Sequence, residues 1–244
     1  MRDIRIYVDE PLASGAELTL PAQAAHHVAR VLRLRAGQTL TLFNGDGGEY
    51  AAVIRSAGGR RVAVDIGEHR RVERESPLDI TLVQAISRGR HMDYTLQKAV
   101  ELGIRRVVPV FSDHGQVRLD DRRRQARLEH WHGVVIAACE QSGRDRLPVV
   151  EEPIRFGDWL GTIVEEQWCL LLDPAADRRL RDLPAPGSGI ALVAGPEGGF
   201  SEAEREAARQ SGCIAIGLGP RVLRTETAAP AAITACQALW GDLG

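Results

Sequence analysis

Two glycine-rich segments hold the residues best suited to chemistry: AGPEGGFS (Ala194–Ser201) and GLGPRVLRTET (Gly217–Thr227). Each follows an apolar run, IALV or CIAI, that reads as a strand. In an open α/β sheet, ligands bind beyond the carboxyl ends of the strands. Glycine lets backbone N–H groups come close to a ligand, and Pro196 and Pro220 stiffen the two loops. Ser201 and Glu204 form an S-x-x-E capping box, so the first loop runs directly into a helix N-terminus. Side by side, two such loops make a cradle of main-chain donors for a polar small molecule. Glu197, Arg224 and Glu226 add charge to it.

Several common chemistries do not fit. Neither loop ends in Gly-Lys-Ser/Thr, as a P-loop would. GLGPRV lacks the third glycine of a dinucleotide fingerprint, and only one helix follows it, with no second strand to carry a ribose-binding acid. There is no G-x-S-x-G nucleophile elbow. Cys139, Cys169, Cys213 and Cys236 form no C-x-x-C and sit in apolar or small-residue stretches, so all four read as buried, reduced thiols. His130 and His132, two apart on a helix, point to different faces. No metal is expected.

The elements that must position the loops fall into two groups. Residues 1–72 read as short strands between tight turns: Ile4–Val8, Gln38–Phe43, Glu49–Arg55 and Arg61–Gly67. One helix follows Pro21, with Ala25, Val28, Ala29 and Leu32 on its apolar face. This is the pattern of a small β-barrel-like domain. RRVERESP (Arg70–Pro77) is charged and aperiodic, and marks the boundary. From residue 77 to 244 strands and helices alternate, as in a mostly parallel sheet covered by helices. The last helix, from about Glu226 to Trp240, is small or apolar nearly all round, with Pro230 placed in its first turn.

With 44% hydrophobic and 26% charged residues, the 244-residue chain can fill one or two cores at roughly 150 residues per domain. No apolar run suits a membrane span, and the N-terminus lacks the apolar region of a signal peptide, so a cytoplasmic protein is expected. Net charge is −2, unevenly spread: residues 1–150 carry 23 basic against 19 acidic side chains, and residues 151–244 carry 8 against 14. A polyanionic partner therefore suits the front of the chain. Of the 31 basic residues only Lys98 is lysine, and arginine is the better phosphate fork.

The two loops resemble the C-terminal motifs of the SPOUT methyltransferases. With HHVARVLRLRAGQ (His26–Gln38), MDYTLQKAVELG (Met92–Gly103) and ACEQSGR (Ala138–Arg144), the chain more narrowly resembles the RsmE family, which methylates N3 of a uridine in small-subunit ribosomal RNA. The resemblance implies a PUA-like β-barrel followed by an α/β domain with a C-terminal trefoil knot, S-adenosyl-L-methionine as cofactor, and a homodimer.

Carried over by position, Leu172, Gly195, Pro196, Glu197, Gly198, Gly199, Leu218, Gly219, Arg221, Leu223, Thr225 and Thr227 would hold the cofactor. Arg224, Glu226 and Glu197 would face the methyl-transfer centre, with one carboxylate as a possible proton acceptor. Arg30, Arg33 and Arg35, with Lys98 and Arg144, are the expected RNA contacts, and Glu140 and Arg144 are placed near the active-site rim. One departure stands out. Where the family has a Ser-Glu-Arg-Ser-like loop, this chain reads FSDHGQVRL (Phe111–Leu119). A SPOUT ribose 2′-O-methyltransferase and a non-catalytic RNA-binding assembly protein are the competing functions.

Overall fold

The structure, a computed structural model, describes residues 4–58, 61–115, 121–164 and 167–244. The chain divides into two compact units, Met1–Glu75 with Cys139–Leu147 and Ser76–Ala138 with Pro148–Gly244. The charged stretch at 70–77 alone would separate 1–72 from 77–244; the compact units also gather residues 139–147 with the first.

The first unit is a five-stranded sheet of β1 (Arg5–Tyr7), β2 (Glu17–Thr19), β3 (Thr39–Phe43), β4 (Glu49–Gly58) and β5 (Arg61–Arg70), in the order β1-β3-β4-β5-β2. Pairing is antiparallel except for β1 beside β3. Alternate residues (Leu40 and Leu42; Ala52 and Ile54; Val62, Val64 and Ile66) build one core with Ile6, Val8 and Val28. The expected helix after Pro21 is two pieces: α1 (Ala22–His26) and a π turn over His27–Val31. The Leu32 N–H bonds the His27 carbonyl five residues back. That wider turn breaks the 3.6-residue phase, so Leu32 turns outward instead of joining the apolar face. Arg33 follows in the left-handed region at φ 56°, and Leu34 re-enters the core.

Charge is buried in this unit. The Arg5 guanidinium bridges Glu49 and Asp145 and lies 4.8 Å from the centre of the Phe43 ring. Arg74 reaches the same two carboxylates at 3.3 and 3.2 Å. Burial pushes Glu49 up, but the Arg5 hydrogen bond and charge, with Arg74, bring it net below the usual carboxylate range. Arg144 is buried and paired with Glu75, and a Glu140 oxygen accepts the Tyr7 N–H at 3.0 Å. Arg144, expected at the RNA surface, is only 4% exposed and engaged by Glu75, and Glu140, expected near the active-site rim, fastens β1 through the Tyr7 amide.

The second unit contains β6 (Ile80–Ala85), α2 (Arg90–Glu101), β7 (Arg106–Phe111), α3 (Asp121–Ser142, counted here to Ala138), β8 (Val149–Val150), β9 (Ile154–Arg155), α4 (Phe156–Leu160), β10 (Trp168–Leu172), β11 (Ile190–Ala194), α5 (Glu202–Gln210), β12 (Ile214–Ile216) and α6 (Thr225–Trp240). The sheet runs β12-β10-β11-β6-β7-β8, with β9 also on β7, and every pairing is parallel. Both faces are covered, which is why the strands read as continuous apolar runs. Val83, Val108, Leu171 and Val193 face Phe156, Trp159, Phe200 and Ala208 of the α4–α5 side. Ile80, Leu82, Leu170 and Leu192 are buried on the other face, where α6 packs on α2, β11 and β6. Helix α6 starts at Thr225, so Pro230 lies inside it, beyond the first turn, and withholds the N–H that would bond the Glu226 carbonyl.

The cysteine expectation is half right. Cys139 and Cys236 are buried free thiols, each pushed up to about 12 chiefly by burial. Cys169 and Cys213 are joined in a disulfide. The register that pairs Leu170 with Ile214 sets Cys169 on β10 opposite Cys213, the residue just before β12, 4.6 Å between Cα atoms. Thiol titration should therefore find two reactive cysteines in the unfolded, unreduced protein and four after reduction. Four without reductant would remove the bridge.

Candidate functional site

β10 lies between β12 and β11, so all three carboxyl ends open side by side. The segments leaving them (Leu172–Pro174, Gly195–Gly199 and Leu218 with Arg221–Glu226) line one cavity of about 620 Å³, closed further by His91 and Ala228. That volume suits a small-molecule site. Its wall is divided. Leu172, Ile216, Leu218, Val222 and Leu223 supply apolar surface, and Asp173, Glu197, Arg221, Arg224 and Glu226 supply charge.

A hydroxyl fastens the two loops together. Thr225 Oγ1 donates to the Gly195 carbonyl at 2.7 Å and accepts from Gln84 Nε2 at 3.3 Å. Gln84 is fully buried on β6, and its amide also donates to the Ala85 carbonyl. The first residue of α6 is thus tied to the end of β11 through a side chain of β6. Backbone geometry does the rest: Gly199 at φ 69° and Gly219 at φ 113° take conformations a side chain would strain.

The charged groups have definite partners. Glu197 accepts the Arg88 backbone N–H at 3.1 Å, which holds its carboxylate to the turn before α2. Glu226, with only 17% of its side chain exposed, lies 3.2 Å from His91 Nδ1 and 4.0 Å from Arg224 Nη1. Arg224 lines the cavity with 83% of its side chain exposed. A nested carboxylate beside an open guanidinium can accept a proton at one atom and face developing negative charge at the other.

Ten of the twelve expected cofactor residues line this cavity, together with Arg224 and Glu226; Gly219 and Thr227 do not. Gly219 turns the second loop at φ 113°, and the Thr227 N–H donates to the Arg224 carbonyl at 2.9 Å. His91, Asp173 and Ala228 were not foreseen. His91 sits one residue before an apolar helical stripe and carried no signal of its own. Arg30, Arg33 and Arg35 are exposed on the first unit. Lys98 is bound to Glu101 at 2.8 Å and lies 5.9 Å from the Tyr94 ring centre. In the departing loop, Asp113 and His114 bond the glycine segment of β11; residues 116–119 lie outside the described residues. Among the described residues no cluster could hold a metal ion.

An RNA methyltransferase domain model matches residues 74–237, and an RNA methyltransferase PUA domain model matches residues 20–67. The chain belongs to the RNA methyltransferase family. Within it, the chain is 34% identical over 239 residues to ribosomal RNA small subunit methyltransferase E of Buchnera aphidicola, covering 98% of this chain and 97% of the relative. It is 28% identical to the Bacillus subtilis enzyme of that name, covering 93% and 91%. Two solved structures superpose over their full lengths at 40% identity. One is a putative Legionella pneumophila methyltransferase in complex with the cofactor SAM (TM-score 0.96), the other a Neisseria gonorrhoeae ribosomal RNA small subunit methyltransferase E bound to S-adenosyl methionine (TM-score 0.93). The expected architecture, a PUA-like unit followed by a SPOUT α/β unit, is that of this RNA methyltransferase family.

In this methyltransferase, Thr225→Val keeps the shape of the buried residue but removes both hydrogen bonds. It should cost about 1–3 kcal/mol in denaturant unfolding, and Thr225→Ser should recover most of that. Equal stability of Val and wild type would show that the hydroxyl does not fasten the loops.

Proposed function

We propose that the protein transfers a methyl group from S-adenosyl-L-methionine to N3 of a uridine in small-subunit ribosomal RNA. The observation that carries this reading is the single cavity shared by both glycine loops, with Glu226 and Arg224 at its mouth. Bound there, S-adenosyl-L-methionine would supply a methyl group on a sulfonium, open to attack by a nucleophilic nitrogen. The cavity fits it in kind: apolar walls for a purine, and backbone amides with Arg221 for polar and carboxylate groups. The S-adenosyl methionine bound in the two solved relatives supports the same choice.

Uridine N3 carries a proton that must leave as the N–CH₃ bond forms. Glu226 takes it, held in place by His91. Arg224 faces the uracil carbonyls and stabilises the charge that builds there. Glu197, already committed to the Arg88 amide, shapes the loop. The target nitrogen lies on the Watson–Crick edge, so the base is unpaired or flipped when it reacts. Exposed Arg30, Arg33 and Arg35 contact RNA phosphates from the PUA-like unit. The sheet-edge strand β12 feeds α6, which packs back on the inner strands β11 and β6; this supports the trefoil threading implied by the family. We also read the working form as a cytoplasmic homodimer, which light scattering tests. Among the described residues no helix is long and apolar enough to cross a membrane.

Nucleoside mass spectrometry of ribosomal RNA from a deletion strain should show loss of N3-methyluridine, restored on complementation. A missing 2′-O-methyl nucleoside instead would overturn the N3 assignment. Arg224→Ala should slow single-turnover methylation by about 10²-fold at saturating substrates, with cofactor affinity kept. Arg30→Ala with Arg33→Ala should weaken RNA binding and flatten its salt dependence, each lost contact removing about 0.7 to 0.9 of a unit of slope. An unaltered slope would assign these arginines to solvent.

A further inference from the structure

The loop after β7, where the chain departs from its family's pattern, makes four hydrogen bonds to the glycine loop and helix cap that follow β11. Ser201 Oγ donates to Asp113 Oδ2 at 2.6 Å, and the Asp113 N–H donates to Glu204 Oε1 at 2.9 Å. Ser201 and Glu204 close the circuit through their own capping box. His114 Nδ1 lies 3.2 Å from both the Gly198 and the Gly199 carbonyl oxygens. Carbonyls only accept, so Nδ1 must carry a hydrogen, and it does so in the neutral Nδ1–H tautomer and in the imidazolium alike. The approach is also steric. A Cβ added at Gly198 would lie 3.1 Å from the His114 Cβ. The glycine at 198 thus makes room for His114; backbone access for a ligand is not the only reason for it.

We propose that Asp113 and His114 are positioning residues that clamp the Gly195–Ser201 loop in its cofactor-binding shape. Both side chains are exposed, so neither is needed to fill a core. Neither lines the cavity, so they act through the loop. Asp113 fixes the far end, where the loop becomes α5. His114 fixes the middle, where Gly199 turns through φ 69°. Without the clamp the loop would have to be ordered by the cofactor itself, and that ordering would weaken binding. The Asp-His-Gly sequence is accordingly a working version of this loop, with an imidazole supplying the donor.

This inference rests on the cavity being the S-adenosyl-L-methionine site, and the experiment separates the two. The full-length protein, His114→Ala and His114→Asn are compared by calorimetry with S-adenosyl-L-methionine, by methylation rate at saturating cofactor, and by amide hydrogen exchange without cofactor. Asparagine places its amide nitrogen close to the position of Nδ1. The alanine variant should bind S-adenosyl-L-methionine about tenfold more weakly, exchange faster at Gly198 to Phe200, and regain nearly the wild-type rate at saturation. The asparagine variant should resemble wild type in all three. Unchanged exchange and affinity in His114→Ala, or an asparagine variant as impaired as alanine, would overturn the clamp. A wild-type protein that fails to bind S-adenosyl-L-methionine would instead remove the cofactor assignment, and the exchange measurement would still decide the clamp.

Discussion

The cavity depends on one hydroxyl group. Thr225 Oγ1 is the point at which β6, the loop after β11 and the start of α6 meet. A buried polar group without partners costs free energy, so the Gln84 amide nitrogen, the Thr225 hydroxyl and the Gly195 carbonyl have few alternative arrangements that satisfy them. The constraint fixes where α6 begins. It therefore fixes Arg224, one residue before the helix, and Glu226, one residue within it. The loops on either side are rich in glycine and proline and would have wide freedom without that point of attachment.

The parallel sheet explains why the chemistry lies at one edge. Its strands are apolar on both faces, so the interior has no room for charge, and polar side chains gather where strands end. Three adjacent ends supply the site, and the fourth, β6, contributes a buried amide instead of a lining residue. The first unit shows the opposite arrangement. There Arg5, Glu49 and Asp145 are buried, Arg74 reaches both carboxylates, and Arg70 also reaches Glu49 at 3.1 Å; burial raises Asp145 while arginine contacts pull it back only in part. Breaking such a pair from one side costs about 3–5 kcal/mol, because it strands a charge.

What could be read from the sequence follows from the range of each interaction. The glycine loops, the Ser201–Glu204 cap and the stripe of Met92, Leu96, Ala99 and Val100 are set by neighbours within a few residues, and the structure shows them as read. The short elements β2, β8, β9 and α4 leave too few residues for a period to register. Leu32 was misplaced because a π turn adds one residue to the helix phase without leaving a mark in composition. Cys169 and Cys213 are 44 residues apart, and only the strand register brings them together. The partners of Arg144 and Glu140, Glu75 and the Tyr7 amide, are 69 and 133 residues away, so no local motif shows them. The Asp113–Ser201 and His114–Gly198 contacts span 88 and 84 residues, beyond any local pattern.

The membership of Cys139–Leu147 in the first unit bears on how the chain is made. Translation delivers β1 to β5 early, but the Asp145 carboxylate that shares Arg5 with Glu49 emerges only after a further 75 residues beyond Arg70. Until then the nascent sheet carries a guanidinium with Glu49 in place and its second bridging carboxylate missing. The N-terminal unit cannot settle into its final form in simple vectorial order, domain by domain as synthesis proceeds. It must wait for a stretch encoded in the middle of its neighbour, so the two units cannot be cleanly exchanged between genes as separate cassettes.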